Sequence, residues 1–254
     1  MWQESIILFS RCEVLYKDIL VNIEIPTEPE FYLDYHYDAI EPAEESNFAS
    51  ILEKKGYALM RVNDCSDALE SFLKALYYQT PSVWILSRIA ESLKHTGRNE
   101  LYGKFLQKAI NLDPENYRLL LKMGRYLMES GDYDNAVRTL YKLYYLNPDN
   151  LHFIRTLAWC RCLQCNPEQA LELYNKICSE DQSDSDILNR GHCYFALSRY
   201  SEAIEDYKTF IRRAGLKNFI QSLDNDSKLL KMLSSRSSEL YWTRDAAILN
   251  NPLQ

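Results

Sequence analysis

Residues 117–150 read YRLLLKMGRYLMESGDYDNAVRTLYKLYYLNPDN. Leu120, Met123, Gly124 and Leu127 recur at helical spacing and make one apolar stripe. Gly131-Asp132 interrupts the pattern, so the first helix stops there. A second stripe, Ala136, Leu140 and Leu143, ends before Asn147-Pro148, because proline disfavours a helical residue ahead of it. The small residues Gly124 and Ala136 let the two helices approach closely. Neither helix can bury its stripe alone, so the hairpin needs neighbours of its own kind.

Those neighbours lie on both sides. Gly56, Ala90, Gly124, Ala158 and Gly191 are separated by 34, 34, 34 and 33 residues. Twelve residues after each come Ala68, Tyr102, Ala136, Ala170 and Ala203, and four further on Phe72, Leu106, Leu140, Tyr174 and Tyr207. Ala75, Ala109, Leu143, Ile177 and Phe210 follow, and Pro114 and Pro148 close two of the units. A fixed period of this length is the mark of stacked helical hairpins.

The pattern resembles the tetratricopeptide repeat family, most fully at Gly124, Leu127, Tyr133, Ala136 and Pro148. The resemblance covers residues 49–217 and implies an all-α, right-handed α-α superhelix, a solenoid of about five helix-turn-helix repeats. The units fall at 49–82, 83–116, 117–150, 151–183 and 184–217, with an N-terminal helix and acidic segment at 1–48 and capping helices at 218–254. The departures are Tyr102 at a small-residue position, Arg161 at an apolar one, and a fourth unit one residue short. Residues 2–22 read as an amphipathic helix through Trp2, Ile6, Phe9, Leu15 and Ile19, covering the end of the stack or left over from an earlier repeat. After Gly215, a helix stop, two further helical pieces are expected around Ser234–Ser238, with Tyr241 and Trp242 packed on the last repeat.

Composition narrows the function. The 254 residues carry a net charge of −7, which argues against nucleic acid as a partner. No apolar run is long enough to span a membrane, and the opening MWQESIILFS lacks the basic residue of a secretory signal. Seven cysteines without regular spacing point to a reducing, cytoplasmic setting. Cys160, Cys162 and Cys165 cluster, but the first two lie about 200° apart on a helix and cannot share a metal. No cofactor is implied.

Catalytic signatures are missing: there is no GxSxG, phosphate-cradling loop or HExxH. The reading is therefore a non-enzymatic binding module. The resemblance implies that the first helix of each repeat lines a concave groove, which places Lys54, Tyr57, Arg61, Trp84, Arg88, Lys94, Arg118, Lys122, Arg125, Arg155, Trp159 and His192 there, with Cys162, Leu188 and Phe195 beside them. On those positions eight Lys and Arg face Glu53, Glu91 and Glu129, a surplus of five positive charges with aromatic residues interleaved. An acidic, partly aromatic peptide or protein is the matching partner. The plainer alternative is a solvated face. The chaperone-tail clamp of some family members is not expected, because Glu53 and Tyr57 stand where it needs Lys and Asn. Two other functions stay open: a structural part of a larger protein, docking intramolecularly, and a secretion-type chaperone. Oligomeric state is not legible.

The acidity sits in one place. Residues 24–48 hold eight acids and no Lys or Arg. Within them Phe31, Leu33, Tyr35 and Tyr37 alternate with Tyr32, Asp34, His36 and Asp38, the period of an extended chain. Two roles fit: a strap across the groove that mimics or gates a ligand, or a cap on the first repeat.

Overall fold

The computed structural model describes residues 2–17, 24–35, 44–180 and 182–233. Among them are thirteen α-helices and a 3₁₀ turn, and no strand. Ile19, His36, Tyr37, Asp38, Ser234–Ser238, Tyr241 and Trp242 lie outside the described residues. The fold is an all-α helical repeat. Five hairpins follow one another: α2 (Glu44–Arg61) with α3 (Cys65–Tyr77), α4 (Val83–His95) with α5 (Asn99–Leu112), α6 (Tyr117–Glu129) with α7 (Tyr133–Leu146), α8 (Leu151–Leu163) with α9 (Pro167–Glu180), and α10 (Asp184–Ala196) with α11 (Tyr200–Ala214). Helix α1 (Trp2–Lys17) precedes them, and α12 (Leu216–Asn225) and α13 (Ser227–Leu233) follow. The chain divides into two compact units, residues 1–123 and 124–254, with the division inside α6.

The glycines of the repeat are there for contact. A Cβ on Gly56 would lie 2.7 Å from the Phe72 ring, one on Gly124 2.6 Å from Leu140, and one on Gly191 2.7 Å from Tyr207. In the same register Ala90 and Ala158 are fully buried. The two departures are absorbed by stacking with cations. Buried Tyr102 has the Lys94 ammonium 5.3 Å from its ring, and the Arg161 guanidinium sits 5.1 Å from the Tyr141 ring.

Every hairpin turns the same way. Asn63, Gly97, Gly131, Cys165 and Ser198, one per repeat, all have left-handed backbone, with φ of 66, 77, 80, 57 and 59°. The next amide reaches back to a carbonyl five residues earlier in each case, Asp64 to Leu59 through Arg199 to Tyr194, at 2.9–3.0 Å. This is a glycine-type helix ending, and only two of the five residues are glycine. An L residue costs about 1–2 kcal/mol in this conformation. Ser198→Gly is therefore expected to raise stability by about 0.5–1 kcal/mol after glycine's greater unfolded freedom is deducted. A urea midpoint that stays or falls contradicts this.

In residues 1–123, α1 packs along α2. Trp2, Ile6 and Phe9 belong to its inner stripe, and the next position in register is Glu13. Its buried carboxylate accepts Lys55 at 2.6 Å and lies 3.6 Å from Lys74. Leu15, expected on the apolar stripe, is exposed, because at about 100° per residue it falls roughly 200° from Glu13, on the opposite face of α1. Helix α2 begins at Glu44, ahead of the expected repeat start, and buries Phe48 against Tyr78.

The aromatic segment departs from expectation. Pro29–Leu33 is a 3₁₀ turn rather than an extended strap, and Tyr32, not Phe31 or Leu33, is the residue wholly buried. The Tyr32 hydroxyl donates to the Pro26 carbonyl at 2.7 Å, which satisfies it locally and lets the ring go inside. Lys108 donates to the Tyr32 carbonyl at 2.8 Å, and Tyr35 stacks on Tyr77 at 5.7 Å. The turn thus rests on α3 and α5, the second helices of their hairpins. The described part of the segment is a cap and does not strap the face of the first helices.

In residues 124–254, α8 to α11 pack in sequence and α12 covers the end of α11. Gly215 stops α11 at φ 90°. The helices after it break at Asp226, earlier than the serine run suggested, and α13 folds back against α8 and α10.

Candidate functional site

Helical spacing puts Lys54, Tyr57 and Arg61 on one face of α2, and Trp84, Arg88 and Lys94 on one face of α4. In the first unit α1 leans over this face. The Trp2 ring meets Tyr57 edge-on at 5.8 Å, and the Arg61 guanidinium lies 5.8 Å from Trp2. Trp2, Ser5 and Phe9 of α1 then close a pocket of about 300 Å³ with Glu53, Lys54, Tyr57 and Trp84. Tyr57 and Trp84 are 37% and 41% exposed, large for aromatic rings and therefore available. Trp84 is braced from below by Phe72 at 5.9 Å.

The charges on this face are mostly spoken for. Arg88 pairs with Glu91 at 2.6 Å, and Lys122 pairs with the same carboxylate. Arg118 donates to the Tyr117 hydroxyl at 3.2 Å, and Lys94 stacks on Tyr102. Glu53 accepts from Gln79 at 2.6 Å, so its charge is turned to a neighbour. Lys54 is exposed, lines the pocket, and has no ion-pair partner among the described residues. Pairing within the protein thus takes up much of the surplus of five charges.

In the second unit the expected residues separate. Arg125 is exposed and donates to His152 Nε2 at 3.1 Å. Burial first, then Arg125 and Arg155, hold the His152 pKa below its ordinary value, in keeping with a neutral ring that accepts. Arg155 grips both oxygens of Asp186, at 2.9 and 3.2 Å, tying α8 to α10. Trp159 is half-buried beside the α8–α9 core. His192 is 0% exposed, with Nδ1 2.9 Å from the Tyr207 hydroxyl and Nε2 3.4 Å from Asp226. It is enclosed and cannot meet a ligand as the chain stands. Phe195, Leu188 and Cys162 are buried with it, because α12 and α13 supply Phe219, Leu223, Leu229 and Leu230 to the same clusters.

The cysteines behave as small core residues or surface thiols. Burial pushes the Cys160 thiol up to about 12. Cys162 and Cys193 lie 3.5 Å apart in the interior, while Cys165 is exposed. Among the described residues no three His, Cys, Asp or Glu side chains are placed to hold a metal, and no helix is long and apolar enough to cross a membrane. Sequence reasoning missed Trp2, Ser5 and Phe9 as pocket walls; the only signal was the stripe along residues 2–17.

Stacked two-helix units on a 34-residue period, with half-exposed aromatic side chains on the first helices, define a helical-repeat protein of the protein-interaction class. Tetratricopeptide repeat models match residues 127–189 and 187–215, so the chain carries tetratricopeptide repeats there. Among solved structures it is similar to YrrB, described as a TPR protein with an unusual peptide-binding site, at 17% identity and a TM-score of 0.61 over 69% of this chain and 92% of that one. It is also similar to a MamA RS-1 double mutant, at 14% identity and 0.60 over 73% and 100%. The 41-to-end form of MamA from Desulfovibrio magneticus RS-1 gives 13% and 0.59 over 68% and 96%. These likenesses establish the fold. No curated protein sequence matches the chain.

Proposed function

We propose that this protein binds a peptide segment of a partner on the face of α2 and α4, seating an aromatic or aliphatic side chain among Trp2, Tyr57 and Trp84 beside an acidic residue drawn to Lys54. The observation that carries this reading is the pocket itself. It has four aromatic walls, Trp2, Phe9, Tyr57 and Trp84, a volume in the range that holds a single large side chain, and a cation at its edge. Binding rather than catalysis is the role, since the face offers anchor area and charge but no activated nucleophile or acid–base pair. The peptide-binding site in the description of YrrB is consistent with the same use of this fold.

A fluorescein-labelled peptide, acetyl-Asp-Glu-Phe-Asp-Glu-amide, tests the reading by anisotropy. Binding is expected to weaken several-fold between 50 and 500 mM NaCl, because the screening length falls from about 14 Å to about 4 Å across that range. Tyr57→Ala and Lys54→Glu should each cost about tenfold, or about 1.4 kcal/mol, with the melting temperature held. Binding indifferent to salt and to both substitutions removes the proposal.

A further inference from the structure

The second unit carries a separate surface whose occupant is already in place. The described part of helix α13, Ser227–Leu233, lies docked on α8 and α10. Leu229 enters the cluster of Ile154, Cys162 and Cys193, Leu233 packs on the edge of that cluster, and Leu230 enters the one formed by Leu188 and Phe195. The polar attachment is slight: Asp226, just ahead of α13, reaches His192 at 3.4 Å, long for a charge-assisted bond.

What lies beneath α13 is not a chance hollow. Cys162, Leu188, His192 and Phe195 occupy, on the first helices α8 and α10, the repeat positions held by Glu53, Tyr57 and Met60 on α2 and by Ser87, Glu91 and Lys94 on α4. None of those six residues is buried, whereas here a thiol, two apolar side chains and an imidazole are all enclosed. That is a dry surface suited to a helix and unsuited to an acidic extended peptide. The hairpins bearing it are pinned elsewhere, by the Arg155–Asp186 and Arg190–Asp206 pairs and by the repeated turns at Cys165 and Ser198.

We infer that the surface between α8 and α10 is a receptor for a short amphipathic helix carrying leucines at i, i+1 and i+4, and that α13, through Leu229, Leu230 and Leu233, is its built-in occupant. A tethered segment acts at an effective concentration of roughly millimolar, so an outside helix must either make further contacts or arrive when α13 is drawn away. The inference concerns different residues from the Trp2–Tyr57–Trp84 pocket and stands or falls without it.

The test uses the full chain carrying Leu229→Asp and Leu230→Asp together. The probe is a fluorescein-labelled peptide of this chain's own residues 224–235. The variant should keep its helical circular dichroism and bind the peptide at least tenfold more tightly than the wild-type chain. The same peptide with both aspartates should not bind. Disulfide-exchange labelling gives a second readout: Cys162 and Cys193 should react faster in the variant, and added peptide should slow them again. A folded variant that neither binds the peptide nor gains thiol reactivity overturns the inference. So does a variant that loses its helical signal, since α13 would then be part of the core. The acetyl-Asp-Glu-Phe-Asp-Glu-amide probe should bind variant and wild type alike, which keeps the two sites' outcomes apart.

Discussion

Asp186→Ala lowers the unfolding free energy by about 3 kcal/mol, the largest loss expected from a single charged residue in this chain. The carboxylate is nearly buried, and it does three jobs at once. It accepts the Ser183 amide at 2.9 Å and the Ser183 hydroxyl at 2.7 Å, completing the capping box that starts α10. It also takes both bonds from Arg155 on α8. Removing it breaks the reciprocal half of the α10 capping box and takes away the counter-charge of a partly buried guanidinium. Arg155 is about one-third exposed, so water moderates the loss to the low end of the range for buried pairs. Asp186→Asn keeps an acceptor for Ser183 and should recover about 1 kcal/mol. Urea unfolding followed by circular dichroism measures both. An alanine variant within 0.5 kcal/mol of wild type would mean that the α8–α10 contact does not depend on this pair.

Gly191→Ala is the second large effect, and its sign is the informative part. In a helix interior the exchange ordinarily adds about 1 kcal/mol of stability. Here the new methyl would lie 2.7 Å from Tyr207 Cε1 and 3.3 Å from Asp206 Cβ. Neither neighbour can yield. Tyr207 is held by His192 and packs at a tilt against Phe219, ring centroids 5.3 Å apart, and Asp206 is gripped by Arg190 at 2.6 and 2.8 Å. An overpacking cost of about 2–3 kcal/mol exceeds the propensity gain, leaving a net loss of about 1–2 kcal/mol, and Gly191→Val should lose 3 kcal/mol or more. Gly124→Ala meets only the side chain of Leu140, which can rotate aside, and should lose less. If the two alanine variants are equally stable, the fixed Tyr207 ring is not what demands glycine.

The repeat was legible because its contacts are short in sequence. Gly124 against Leu140, or Gly191 against Tyr207, joins residues sixteen apart on two helices of known period, so the pattern of small and large residues records the packing directly. The turns were half legible. Gly97 and Gly131 announce a left-handed residue and Asn63 tolerates one, whereas Cys165 and Ser198 adopt it under the constraint of the hairpin and carry no mark of it. The two departures, Tyr102 and Arg161, looked like local weaknesses and are accommodated by a Lys94 and a Tyr141 that only the packed hairpins bring alongside.

The face of the first helices was legible as a set of positions and not as a working surface. By itself the sequence determined the 34-residue period, the all-α hairpin fold and which residues share a helix face, since those follow from spacing along the chain. Tertiary structure alone decided that Trp2 and Phe9 wall the pocket at Tyr57 and Trp84, that the Tyr32 turn sits on α3 and α5, and that α12 and α13 bury His192 and Phe195. Each of these brings a flanking segment onto a repeat far from it or outside its register, where no periodicity applies. Such docking is set by apolar area and by single partners such as Glu13, Asp226 and Lys108, which exist as partners only after the chain has folded.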